Sequence, residues 1–150
     1  MDESVLAHLD EMVVTELSRA MRAGRAADAI RQATHARWVG IYTVVDNVVT
    51  NEAWSGPGAP AHPSFPVTEG LTAHAVRTGS VALSNDVARD PRYLTNQEDS
   101  GSELIVPILV DGGIVGTLDV ESDGIGSFDG AAVVRYENLA AALRPLWHRD

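Results

Sequence analysis

Two β-rich runs, Glu103-Leu-Ile-Val-Pro-Ile-Leu-Val110 and Ile114-Val-Gly-Thr-Leu-Asp-Val-Glu121, flank the turn residues Asp111-Gly112-Gly113. They pair as an antiparallel hairpin, and the choice of register decides which side chains share a face. With all three turn residues in the loop, Val110 faces Ile114, Ile108 faces Gly116, Val106 faces Leu118 and Leu104 faces Val120, so one face is wholly apolar. A two-residue loop mixes apolar with acidic residues on the same face. The first register places Glu103 opposite Glu121 and Asp119 opposite Ile105, so three carboxylates crowd the other face. Like charges at cross-strand distance repel unless a cation, a proton or hydrogen-bond donors intervene. A ligand ammonium or guanidinium, an internal Arg such as Arg37 or Arg92, or a metal ion would meet that need. The alternative is that Glu103 and Glu121 end the sheet in water, although Asp119 lies two residues deeper.

The flanking sequence supplies a scaffold for this hairpin. Apolar residues from Val5 through Leu9, Met12, Val13, Leu17 and Ala20 to Met21 recur at helical spacing. Gly24 interrupts the pattern, and a second helix is expected over Arg25–Ala36, with Arg19, Arg22 and Arg25 on a solvated face. Trp38–Val45 and Val48-Val49-Thr50 read as a hairpin turned by Asp46-Asn47, with Trp38, Gly40, Tyr42 and Val44 on one face. Ser55–Pro66, with two Gly and four Pro, is expected to leave the sheet as a long excursion. A short helix over Glu69–Arg77 closes at Thr78-Gly79, Val81-Ala82-Leu83 forms a brief strand, and Asn85–Ser102 is an irregular loop. Ser127-Phe128-Asp129 caps a C-terminal helix that Pro145 ends or kinks. This order predicts an α+β domain with a mainly antiparallel sheet. The 150 residues, 45% of them apolar, suffice for one core. A single domain over 1–150 is therefore expected, with N-terminal helices in 1–36, sheet and pocket in 37–122 and the C-terminal helix in 127–147.

Composition excludes several chemistries. All 11 basic residues are Arg, the formal charge is −10, and there is no Cys. Without Lys there is no Walker-type phosphate loop, Schiff base or Ser-Lys dyad, and without Cys no disulfide, thiolate metal site or thiol nucleophile. The acidic balance disfavours nucleic acid and anionic lipid as partners. No apolar leader or bilayer-length run is visible, and a cytoplasmic protein is the expectation. Asp119-Val-Glu-Ser-Asp-Gly124 resembles the opening of a calcium loop, but its twelfth position is Gly130 and the preceding element is a strand. The His residues at 8, 35, 62, 74 and 148 show no zinc spacing.

Taken together, Trp38-Val-Gly-Ile-Tyr42, Pro66-Val-Thr-Glu-Gly70, Ser102-Glu-Leu-Ile-Val-Pro107, Asp111-Gly112, Gly116-Thr-Leu-Asp-Val-Glu-Ser122 and Phe128 resemble a GAF domain. Within that superfamily the pattern is most similar to the free methionine-(R)-sulfoxide reductases. The resemblance implies an antiparallel sheet with terminal helices on one face and a ligand pocket under loops on the other. It implies that Trp38, Tyr42, Glu103, Asp119 and Glu121 line the pocket, with Glu121 where the reductases carry Asp. The three cysteine positions of those enzymes fall on His62, Thr72 and approximately Asn96, none of which supplies a sulfur nucleophile.

The resulting expectation is a non-catalytic sensor or regulatory protein binding a small, polar, amine-bearing metabolite through Trp38, Tyr42, Glu103, Asp119, Glu121, Thr72 and His62. No metal or cofactor is expected, and a homodimer is expected through Met21 and Trp147 near the ends of the terminal helices. The alternative is a reductase-like enzyme with non-cysteine chemistry.

Overall fold

The computed structural model describes residues 2–13, 17–94 and 99–147. Helices α1 (Asp2–Val13) and α2 (Arg19–Thr34) precede strands β1 (Trp38–Val45), β2 (Val48–Ser55) and β3 (Ser64–Pro66). Helix α3 (Gly70–Thr78), strands β4 (Ala82–Ser84), β5 (Ser102–Val110) and β6 (Gly113–Ser122), and helix α4 (Gly130–Ala142) complete the chain, with 3₁₀ turns at Val87–Arg89 and Arg144–Leu146. The six strands form one antiparallel sheet in the order β3-β2-β1-β6-β5-β4.

The β5–β6 register holds where burial depends on it. Leu104 pairs with Val120, Val106 with Leu118 and Ile108 with Gly116, while Glu103 opposes Glu121 and Ile105 opposes Asp119. The tip differs from expectation. Leu109 pairs with Ile114 and Val110 with Gly113 across a two-residue turn, Asp111-Gly112, both at positive φ (52° and 80°). Val115 is the extra residue of a bulge that shifts the register by one. Turn chemistry thus sets the tip, and the bulge restores the apolar face below it.

That face meets the terminal helices. Leu104, Val106, Ile108, Leu118 and Val120 pack with Val39 and Ile41 of β1, and with Leu9 of α1, Ala23, Ala26, Ala27 and Ile30 of α2, and Leu139 and Ala140 of α4. Asp129 caps α4 by accepting from the Ala132 N–H at 2.8 Å, and Gly79 closes α3 at φ 67°.

Four local expectations require correction. Gly24 lies inside α2, because Ser18 starts that helix by accepting the Met21 N–H. Positions 14–16 of the expected first helix lie outside the described residues. Arg19 and Arg22 are not a solvated pair: Arg22 is buried and donates to the Leu17 carbonyl, and Arg19 donates to the Leu146 carbonyl. Part of the Pro/Gly excursion returns to the sheet as β3, pairing with Val48–Thr50 at the edge, where prolines are tolerated. The loop after β4 contains a 3₁₀ turn at Val87–Arg89 that buries Val87.

The C-terminal turn is pinned to the sheet. The Trp147 indole N–H donates to Thr43 Oγ1 at 3.0 Å, and Thr43 in turn donates to Glu52 at 2.7 Å. Gly116 makes room for this contact. A Cβ there would collide with the Tyr42 carbonyl oxygen and lie 2.6 Å from Trp147 Cζ2. Gly116→Ala should therefore destabilise the fold by about 1–3 kcal/mol, the usual cost of overpacking. Urea unfolding with an unchanged m-value would show it, and a variant within about 0.5 kcal/mol of wild type would refute the packing role.

Candidate functional site

On the face away from the terminal helices, β5, β6 and β1 set side chains in cross-strand rows. Glu103, Glu121 and Trp38 form one row; Ile105, Asp119 and Gly40 the next; Pro107, Thr117 and Tyr42 the third. Gly40 is the gap in this lattice. A Cβ there would collide with the Trp38 ring and come within 2.9 Å of Tyr42 Cε1, so glycine lets the two rings close over it, centroids 6.5 Å apart.

A hollow opens above the rows, lined by Tyr42, His62, Phe65, Gly70, Leu71, Thr72, Leu94, Glu103, Ile105 and Asp119. Its cavity volume is about 20 Å³, room for about one water molecule. The lining comes from elements distant in sequence: the β2–β3 loop supplies His62, β3 supplies Phe65, and the first turn of α3 supplies Leu71 and Thr72. Five of the seven expected site residues line this hollow: Tyr42, His62, Thr72, Glu103 and Asp119. The other two support it. Trp38 is fully buried beside Tyr42, and its indole N–H holds the Pro/Gly loop through the Gly58 carbonyl at 2.9 Å. Glu121, also fully buried, accepts a 2.8 Å bond from the Tyr93 hydroxyl. Asn96 lies outside the described residues.

Phe65, Leu71, Leu94 and Ile105 were not singled out from sequence. Ile105 could have been, because the register places it beside Asp119. Leu94 offered no such signal, since it reaches the site through a loop contact, its Cβ 3.1 Å from where a Gly70 side chain would begin.

The electrostatics are unusual for so small a space. Glu103 and Asp119 are each 5% exposed. Neither internal arginine considered from sequence reaches them: Arg92 grips Asp90 through Nε at 3.0 Å and Nη2 at 2.8 Å, and Arg37 pairs with Asp99 at 3.3 Å. The Glu103 carboxyl has no hydrogen-bond partner among the described residues, whereas Asp119 accepts from Thr117 Oγ1 at 2.9 Å. Burial pushes Asp119 up to about 8, opposed by the Thr117 bond and reinforced by Glu121. Burial raises Glu103 well above the usual carboxylate range, helped by Glu121, Asp119 and Asp90. The Tyr42 phenol is raised by burial and by Asp119, Glu103 and Glu121, so it stays a neutral hydrogen-bonding group. Among the described residues no cluster of His, Asp and Glu is arranged to hold a metal. The arrangement suits a ligand that brings a positive charge or accepts protons from carboxylic acids.

These shifts have a sign in stability. Between the unfolded carboxyl value of about 4 and the folded value near 8, native Asp119 holds a proton that the unfolded chain has released. Its contribution therefore falls as pH rises through that window, by at most about 1.4 kcal/mol per pH unit. Asp119→Asn keeps an oxygen for Thr117 and cannot ionise. The stability difference between this variant and wild type should grow in the variant's favour from pH 5 to 8 in urea titrations. A constant difference would show that Asp119 is ionised throughout.

Comparison with known proteins follows the same geometry. The chain is 26% identical over 128 residues to GAF domain-containing protein A of Dictyostelium discoideum, covering 85% of this chain and 80% of that protein. It is 28% identical over 95 residues to the free methionine-R-sulfoxide reductase of Escherichia coli strain K12, covering 63% of this chain and 56% of that enzyme. The structure of the Neisseria meningitidis free methionine-R-sulfoxide reductase in complex with its substrate superimposes with a TM-score of 0.86 at 25% identity, covering 97% of this chain and 87% of that one. The GAF domain profile matches residues 19–144, from the start of α2 to just past the end of α4, and the chain belongs to the GAF domain family.

Proposed function

We propose that the chain binds a small, polar, amine-bearing metabolite in the hollow beneath α3 and acts as a non-catalytic sensor or regulatory protein. The observation that carries this reading is the pair of buried carboxyls, Glu103 and Asp119, facing one hollow with no arginine against them among the described residues. An ammonium group would supply the missing counter-charge, and Tyr42, Phe65 and Ile105 would contact the apolar part of the ligand. A ligand larger than water needs the roof to yield, and Phe65 on a three-residue edge strand and Leu94 on a loop are the lining residues least held by the sheet.

Similarity to the reductases favours a second reading, reduction of a sulfoxide. Thiol-based reduction needs a sulfur nucleophile, and the 150 residues contain no cysteine, with His62 and Thr72 in the hollow where the resemblance places two of them. The binding reading is therefore preferred. We also propose a homodimer through the outer faces of α2 and α4, where Met21 and Val134 are more than half exposed. Trp147, the other residue on which a dimer was expected, packs instead on its own sheet. Among the described residues no helix is long and apolar enough to cross a membrane. The acidic charge supports a partner list of small molecule and second copy, without nucleic acid.

Native mass spectrometry of metabolites co-purifying with the protein, followed by calorimetry with amino acids, their sulfoxides and small amines, tests the binding reading. Asp119→Asn should weaken an amine ligand by about 2 kcal/mol, roughly thirtyfold, while leaving the fold intact. An effect below about 0.5 kcal/mol would remove Asp119 from the site. Methionine-(R)-sulfoxide supplied with a dithiol or a thioredoxin system should not be turned over. Methionine formation above about one per second would establish an enzyme.

A further inference from the structure

Three carboxyls share one crowded patch of the sheet, and no arginine stands between them among the described residues. Glu103 and Glu121 are direct cross-strand partners, and Asp119 sits one row away on the same face of β6. Glu121 has the Tyr93 hydroxyl and Asp119 the Thr117 hydroxyl. Glu103 is nineteen-twentieths buried, faces the hollow, and has neither donor nor cation among the described residues. Three ionised carboxylates so placed are among the least stable arrangements a sheet can bury.

The titratable and charged groups around them come from every side of the hollow. Tyr42 approaches from β1, Asp119 and Glu121 stand on β6, Glu103 stands on β5, and His62 lies in the β2–β3 loop. Beyond β4, Asp90 and Arg92 form their own ion pair, and Tyr93 stands against Glu121. The described lining from α3, Gly70, Leu71 and Thr72, carries no charge. The arginine is spent on Asp90, so the negative charge of Asp90 adds to the load on Glu103 even as its partner screens it.

We propose that the carboxyl row holds at least one proton while no cation occupies the hollow, and that an incoming cation takes its place, sending the proton to water. This rests on the reading of the hollow as a cation-binding site and adds its regulation. Proton and ligand compete for the same oxygens, so ligand affinity rises with pH, and ligand binding drives proton release by the same factor. The protein would then report the ratio of ligand to proton rather than ligand alone. The exchange also accounts for Glu103 having no donor among the described residues: a fixed donor would hold the ionised form at all times and remove the competition.

The test uses wild-type protein with carboxyl-¹³C labelling and methylammonium chloride as the probe cation. Glu103→Gln and Asp119→Asn serve only to assign the resonances. The expected result is that Glu103 or Asp119 titrates with a midpoint above pH 7 in the protein alone. Methylammonium should lower that midpoint, and its affinity, read from the same shifts, should tighten about tenfold between pH 6 and 7, the linkage for one proton released. Because the carboxyl carbons are observed directly, protons from other groups do not enter the reading. If all three carboxyls titrate below pH 6, no proton is held and the exchange is overturned, while the cation site survives if methylammonium still binds. A raised midpoint with pH-independent affinity also overturns the exchange alone. A raised midpoint with no uptake of methylammonium overturns both the exchange and the cation reading beneath it.

Discussion

The β5–β6 pairing is the constraint on which the rest depends. A strand alternates its side chains between faces, so the register that delivers Leu104, Val106, Leu118 and Val120 to the helices also delivers Glu103, Asp119 and Glu121 to the other side. A slip of one residue would drive carboxylates into the helix-covered core. Core formation therefore specifies the acidic site indirectly: the apolar half fixes the register, and the acids are carried to their places by the geometry of the pleat. The bulge at Val115 matters for the same reason, because it reconciles the two-residue turn at the tip with the pairing the core demands.

Holding acids in place this way has a cost that the remainder of the hollow limits without removing. Thr117 and Tyr93 give hydroxyl bonds to Asp119 and Glu121, and Trp38 pins the loop that supplies His62. Among the described residues Glu103 receives nothing comparable. In a structural ion pair the missing donor would be a flaw, and a nearby arginine would be expected to swing in. Arg92 is near enough in sequence to reach the site, yet two bonds to Asp90 and one to the Leu83 carbonyl commit its guanidinium elsewhere. The charge imbalance is thus built by the fold and not left over from it, which is the pattern expected where binding competes with stability.

Much of this was legible in the sequence because it followed from periodicity. The hairpin register, the shared face of Trp38, Gly40 and Tyr42, the Gly79 stop and the Asp129 cap all rest on local rules that tertiary packing reinforced. What failed did so where a local rule had a competitor. Gly24 looks like a helix break by propensity, but it is half-buried within α2 with a Cβ position 3.9 Å from Ala53, where a small residue helps the helix approach β2. Ser64–Pro66 looks like a loop by composition, but an edge strand needs only some of its amides. Arg22 looks solvated by charge, yet its long side chain bonds a carbonyl at the turn before its own helix. Leu94 reaches the hollow on a loop and Phe65 on an edge strand paired with β2, long-range contacts that no window of neighbouring residues encodes.

The two functional readings make opposite demands on the same row of acids. A ligand ammonium requires carboxylates, whereas a sulfoxide oxygen requires protonated carboxyls that donate to it. Because burial places Asp119 near 8 and Glu103 well above the ordinary range, the row can offer either face near neutrality. Electrostatics alone therefore cannot distinguish binding from reduction in this fold. The distinction falls on the atom that would attack sulfur, and in this hollow the side chains beside the acids are a hydroxyl at Thr72 and an imidazole at His62. Neither is a two-electron reductant, since forming and then breaking a bond to sulfur with net reduction requires a group that ends oxidised, as a thiol does in becoming a disulfide. The chain sets three buried acids beside its hollow without a cysteine among its 150 residues, and of the two readings binding is the one that makes no demand on a sulfur nucleophile.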